Sequence, residues 1–182
     1  MPPMIDLEKL KFPIGKYEAP TTIPKATLKN WINDIACFPS KISNEVIHLN
    51  QKQLDTPYRP NGWTIRQVVH HCADSHMNCL IRIKLALTED NPIIKPYFEE
   101  RWAELDDSKF LDIAPSLKMI ENIHYRWVVL LKGLNEEQFA RTYVHPGYGK
   151  TYRIDENTGL YAWHCNHHLS HITQAKKQNN WN

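Results

Sequence analysis

The chain has 182 residues, 42% hydrophobic, with only 6 Gly, and 22 basic against 20 acidic side chains give a formal net charge of +2. That charge, with no basic stripe, argues against nucleic-acid or membrane-surface partners, and no apolar run is long enough to span a bilayer. The length suits one domain over residues 1–182 with its own core, and scarce Gly leans toward helices rather than a barrel or sandwich.

The start, MPPMIDLEKLKF, is charged and lacks the apolar stretch of a secretory signal. Residues 1–22 and the segment after them hold Pro2, Pro3, Pro13, Pro20 and Pro24, which predicts an extended or poorly ordered arm. From Lys25 to about Asn50 the apolar residues Leu28, Trp31, Ile32, Ile35, Ile42 and Val46 follow helical spacing, interrupted by Pro39. One long kinked helix or two short ones are expected there.

QLDTPYRPNGWT, Gln53 to Thr64, reads as a loop. Thr64 followed by Gln67 reads as a capping box, so a second helix starts there and runs to about Thr88. NPIIKP breaks the chain at Asn91 to Pro96, and Tyr97 to Leu111 predicts a short helix. Pro115 opens a third long helix, continued by Leu117, Ile120, Trp127 and Leu131 to Gly133. RTYVHPGYGKTYRI, Arg141 to Ile154, predicts a small hairpin or ordered loop. A last helix is expected from about Asn157 to Asn180. Four long amphipathic segments imply an all-α, antiparallel four-helix bundle with short inserts.

The last helix carries WHCNHHLSH, with His164, His167, His168 and His171 on one broad face at about 100° per residue. His164 and His168 are spaced i, i+4, which stacks two imidazoles one turn apart and lets them share a divalent ion. His167 and His171 form a second such pair, so spacing alone does not choose. A third ligand must come from elsewhere, and the second helix offers His70, His71 and His76. His76 lies within the apolar stripe and reads as a buried histidine with its own hydrogen-bond partner. His70 and His71 flank the stripe on opposite sides, and only one can face the last helix. The four cysteines, Cys37, Cys72, Cys79 and Cys165, form no C-x-x-C pair and read as reduced thiols of a cytoplasmic protein. Cys72 and Cys165 each adjoin a candidate ligand but point about 100° away from it.

GWTIRQVVHHCADSHMNCLIRIKLALTE, Gly62 to Glu89, and LYAWHCNHHLSHI, Leu160 to Ile172, with FPIGKYEAP, LDTPYR and YVHP, resemble the YfiT-like branch of the DinB superfamily. The resemblance covers nearly the whole chain. It implies a four-helix bundle holding one divalent ion on three histidines, which fall on His71, His164 and His168. It also implies a homodimer, for which exposed aromatics such as Trp181 and the proline-rich arm are candidate contacts. Three neutral imidazoles fill only part of the sphere of Zn2+ or Ni2+, which leaves room for water or substrate, as in a catalytic site.

A metal lowers the pKa of an acid that binds it, water or thiol. The resemblance accordingly implies either a metal-dependent hydrolase or a transferase using a low-molecular-weight thiol such as bacillithiol. S-transfer from a small thiol to an electrophile is the leading expectation. Hydrolysis is the alternative, and a non-catalytic metal-binding bundle a further one. Ser75, Asn78 and Arg82 share the face of His71. Asn78 and Arg82 are expected to line the substrate pocket, with Arg82 holding an anionic group, unless Arg82 pairs with Glu99, Glu100 or Asp106. His167 and His171 are open between proton carriers beside the ligands and buried histidines bonded to backbone. Tyr97, Trp102 and His145 lie in inserts able to cap the bundle mouth.

Overall fold

The computed structural model describes residues 6–181. In chain order its elements are α1 (Leu7–Lys11), α2 (Lys25–Val46), α3 (Gln51–Leu54), α4 (Ile65–Thr88), α5 (Glu99–Trp102), α6 (Asp106–Phe110), α7 (Ala114–Lys132), α8 (Glu136–Phe139), β1 (Thr142–His145), β2 (Lys150–Arg153) and α9 (Ile154–Gln178). The four long helices α2, α4, α7 and α9 form the expected bundle. Both α2 and α4 pack against both α7 and α9. Thus α2 and α4 occupy one diagonal, and the connection through α3 crosses the bundle end.

Local chemistry explains the helix ends. Thr64 and Gln67 bond reciprocally at the start of α4, with Gln67 N donating to Thr64 Oγ1 at 3.1 Å and Thr64 N to Gln67 Oε1 at 2.9 Å. Arg141 donates from its guanidinium to the carbonyls of Ala86 and Glu89, which closes the other end of α4. Pro115 sits in the first turn of α7. Pro39 lies inside a continuous α2, so the single-helix alternative holds. Helix α9 begins at Ile154, three residues before the expected Asn157, because β2 feeds straight into it. Asp155 and Glu156 occupy its first turn, where they complement the helix dipole.

The core joins Ile35, Phe38 and Ile42 of α2, Val68, Cys72 and Ile83 of α4, Ile120, Trp127 and Leu131 of α7, and Ile172 of α9. Burying each such side chain stabilises the fold by about 1.5–3 kcal/mol. Gly159 lets α2 and α9 pack closely: a β-carbon there would lie 2.8 Å from the Trp31 ring. The β1–β2 hairpin pairs Thr142 with Arg153 and His145 with Lys150. The Pro92–Ile94 segment adds to its edge, with Ile94 N donating to Val144 O at 3.0 Å and Val144 N to Pro92 O at 2.9 Å.

Two expectations change. The described part of the arm is neither wholly extended nor loose: Asp6 caps a helical turn, Leu7–Lys11, and the chain after it lies against α9. Trp163 Nε1 donates to Gly15 O at 3.2 Å, and Tyr17 Oη to Glu156 O at 3.4 Å. Pro2 and Pro3 fall outside the described residues. Trp181 is half-buried against the chain's own core rather than exposed. The four cysteines are free thiols, and among the described residues no helix is long and apolar enough to cross a membrane.

Candidate metal centre

Helices α4 and α9 bring His71, His164 and His168 together, with one nitrogen of each ring within 4.8 Å of the others. His71 Nε2 and His164 Nε2 stand 3.2 Å apart. Imidazoles at the usual zinc distance of about 2.0–2.1 Å put their nitrogens about 3.0–3.4 Å apart, depending on the coordination angle. The separation found fits a shared divalent ion. His71 and His168 are buried, and burial pushes the pKa of His71 down to about 4 and those of His164 and His168 well below the usual imidazole value. Neutral rings are the ligating form. The site thus fits a divalent cation by donor type, protonation and spacing.

The site opens on a cavity of about 820 Å³ between α4, α9, the hairpin, the Tyr58–Trp63 loop and the N-terminal arm. Trp63 lies beside His71, ring centroids 4.7 Å apart. At the far end stands Arg82, 8% exposed, with no ion pair among the described residues and no partner on Nε. Its guanidinium lies 5.9 Å from the centre of the Tyr97 ring. The expected alternative, pairing with Glu99, Glu100 or Asp106, is not formed, although Glu99 and Glu100 line the cavity. Burial raises Glu99 above the usual carboxylate range, against the pull of Arg82. Burial, then Arg82, lowers His145.

Several singled-out residues take other places. Asn78 does not line the cavity: its Nδ2 donates to Asp74 O one turn back at 2.9 Å. Ser75, Tyr97 and His145 do line it, whereas Trp102 lies outside, its ring tilted against Tyr97 with centroids 4.5 Å apart. His70 faces away, with Nδ1 2.7 Å from Ser116 Oγ. His171 takes the backbone-bonded reading, donating from Nε2 to Lys11 O at 3.0 Å under a stacked Tyr58 ring 3.9 Å away. His167 stacks on Trp163 at 4.4 Å, and its buried Nδ1 has no partner. Burial drives His167 to about 3 and His171 to about 4. His76 is fully buried, with a histidine on each side: His164 Nδ1 at 3.1 Å and His124 at 2.8 Å. Sequence reasoning missed His124, Trp63, Tyr58 and Phe12. Only Trp63, beside the capping box of α4, carried a local hint of its position.

The chain is similar to proteins whose names refer to a metal. A protein from Bacillus cereus and one from Bacillus anthracis, each named "Putative metal-dependent hydrolase", are 50% identical over 175 residues, 96% of this chain and all of theirs. The solved structure of YfiT from Bacillus subtilis, described as a probable metal-dependent hydrolase with an unusual four-helix bundle topology, superposes with a TM-score of 0.93 at 44% identity. That match covers 96% of this chain and 99% of the other. The profile of the DinB superfamily matches residues 44–172, and the chain belongs to that superfamily.

Proposed function

We propose that the protein is a metal-dependent enzyme, with His71, His164 and His168 holding one Zn2+ or Ni2+ ion, and that it transfers a low-molecular-weight, anionic thiol of bacillithiol type to an electrophilic carbon. The observation that carries the reading is the buried Arg82, without an ion pair among the described residues, in the same cavity as the three-histidine cluster. His71 and Arg82 lie eleven residues apart on α4, on the order of 16 Å along the helix axis. A thiol held at both ends is therefore long and carries its negative charge away from sulfur. When bound, the ion lowers the pKa of an acid that shares it, which turns thiol into thiolate near neutrality.

The protein's own groups do the rest. Arg82 fixes the anionic end through its forked donors. Trp63, Tyr58 and Phe12 wall the histidine end against bulk water. In the transfer, sulfur loses its proton to solvent and forms a bond to carbon, and the leaving group, chloride for a chloro-dinitro-aromatic acceptor, departs with the electron pair.

Hydrolysis is the second reading, favoured by the names of the relatives. One lowered-pKa site serves either reaction, with water in place of thiol. Incubating the metal-loaded protein with a chloro-dinitro-aromatic acceptor and a panel of thiols separates them. Turnover that requires an anionic thiol supports transfer; thiol-independent cleavage of esters or amides replaces it with hydrolysis. A protein that binds zinc and nickel but turns over neither class is a non-catalytic metal-binding bundle.

A further inference from the structure

Behind His164 runs a chain of buried histidines with a fixed direction. His164 Nδ1 lies 3.1 Å from His76 Nε2, His76 Nδ1 lies 2.8 Å from His124 Nε2, and His124 Nδ1 lies 2.6 Å from Ile35 O. A carbonyl oxygen can only accept, so His124 carries its proton on Nδ1. A neutral imidazole has one N–H, so His124 Nε2 must accept from His76 Nδ1–H. By the same step His76 Nε2 accepts from His164 Nδ1–H. The last ring is then left with a bare lone pair on Nε2, the atom that faces His71 across 3.2 Å.

The sequence explains why that carbonyl is free. Ile35 sits in α2, where its oxygen would ordinarily accept from the N–H four residues on. That residue is Pro39, inside the same helix, which has no N–H to give. Phe38 holds the two inner rings in place, its own ring 5.3 Å from His76 and 5.4 Å from His124. Cys165 Sγ, 3.9 Å from His76 Nε2, offers only a weak donor and does not oppose the direction.

We infer that Pro39, His124 and His76 are positioning residues: the Ile35 carbonyl freed by Pro39 sets the tautomer of three successive histidines, so that His164 presents an unprotonated Nε2 to a cation. The inference rests on the proposed metal site, but its first half is readable without metal. Partners behind a ligating histidine typically contribute 10–100-fold in metal affinity.

The test combines side-chain nitrogen NMR of the metal-free protein with zinc affinity measured by chelator competition. In the unsubstituted protein, long-range proton–nitrogen correlations should show His164, His76 and His124 as Nδ1–H tautomers. An Nε2–H tautomer at His164 or His124 overturns the inference. His124→Phe should weaken zinc binding by about 10–100-fold, with His164 shifting toward a mixture of tautomers. His124→Gln, whose amide can donate to Ile35 O and accept from His76, should bring affinity back to within a few-fold. Equal zinc affinity in His124→Phe and the unsubstituted protein sinks the idea, as does a second zinc ion held by His76, His124 and Cys165. Should His124→Phe not fold, the tautomers of the unsubstituted protein still decide. Absence of any zinc binding by the unsubstituted protein would instead remove the proposed function, while the tautomer readout stood.

Discussion

Helix α9 presents two histidine pairs of identical spacing in different surroundings. His164 and His168 meet His71 of α4, with candidate ligand atoms within 4.8 Å of one another; His167, His168 and His171 reach the same closeness within α9 alone. His167 and His171 lie a few residues along but meet the N-terminal arm: Lys11 O takes the proton of His171, and Phe12 and Trp163 flank His167. Burial holds all four neutral. Spacing therefore offers candidate ligands in both pairs, and the element packed opposite tells them apart. Across from the first pair stands another helix with a histidine; across from the second stands a strap with a carbonyl.

The largest effect separates the pairs outright. Replacing His164 by Ala should abolish stoichiometric zinc binding and lower turnover by at least about 100-fold, in line with the loss of a catalytic metal's contribution of several kcal/mol. Replacing His171 should leave one zinc ion per chain. Elemental analysis of protein purified without an affinity tag reads both. Retained zinc in His164→Ala, or loss of it in a His171 variant, would show that the wrong pair has been assigned.

Acid probes the burial that keeps the rings of both clusters and the histidines behind them neutral. His71, His124 and His171 titrate near 4 in the folded, metal-free protein against an ordinary value of 6.5. Between those values the unfolded chain takes up protons that the folded chain refuses, so stability falls as pH drops below about 6.5 and levels off near 4. At about 1.4 kcal/mol per pH unit, each such histidine costs about 2 kcal/mol by pH 5. Urea midpoints of the metal-free protein should drop steeply from pH 7 to pH 5, and saturating zinc should move the loss to lower pH because it binds only the neutral rings. A flat profile over that interval would contradict the burial of these rings.

How much of this was legible in the chain follows from the range of the interactions. Thr64 and Gln67 fix the start of α4 through bonds three residues apart, and the i, i+4 pairs need only a helix. Both features were readable, as was the hairpin around His-Pro-Gly. The choice of His71 over His70 came from family resemblance, because their faces differ only relative to a neighbour 93 residues away. The packing of the arm on α9 was not readable: His171 and Lys11 are 160 residues apart. Asn78 was placed by helical angle alone. Its side chain folds back on Asp74 O, which local amide bonding on a helix allows at any angle. Pro39 read as a kink; its consequence for Ile35 O becomes visible only once α7 lays His124 against it.

Arg82 tests whether the cavity's far end recognises charge. With Arg82→Met, KM for an anionic thiol should rise by about 10-fold or more, since a charged hydrogen bond is worth about 1.5–3 kcal/mol. Zinc content should not change, nor should KM for an uncharged thiol of similar length. Equal KM shifts for charged and uncharged thiols would mean that Arg82 shapes the cavity without reading its occupant.

The smallest effect lies at the strap. Replacing His171 by Phe keeps a ring under Tyr58 but removes the donor to Lys11 O. Loss of one intramolecular hydrogen bond costs about 1 kcal/mol, and the Lys11 carbonyl, near the cavity mouth, can turn to water. Global stability should fall by about that amount. The amides of the arm, from Lys11 to Tyr17, should exchange with solvent faster than those of α4, because the strap opens locally before the bundle does. If the arm and α4 instead lost protection together, the strap would be part of the cooperative core, and the division between the two histidine pairs would be one of ligands alone rather than of rigidity as well.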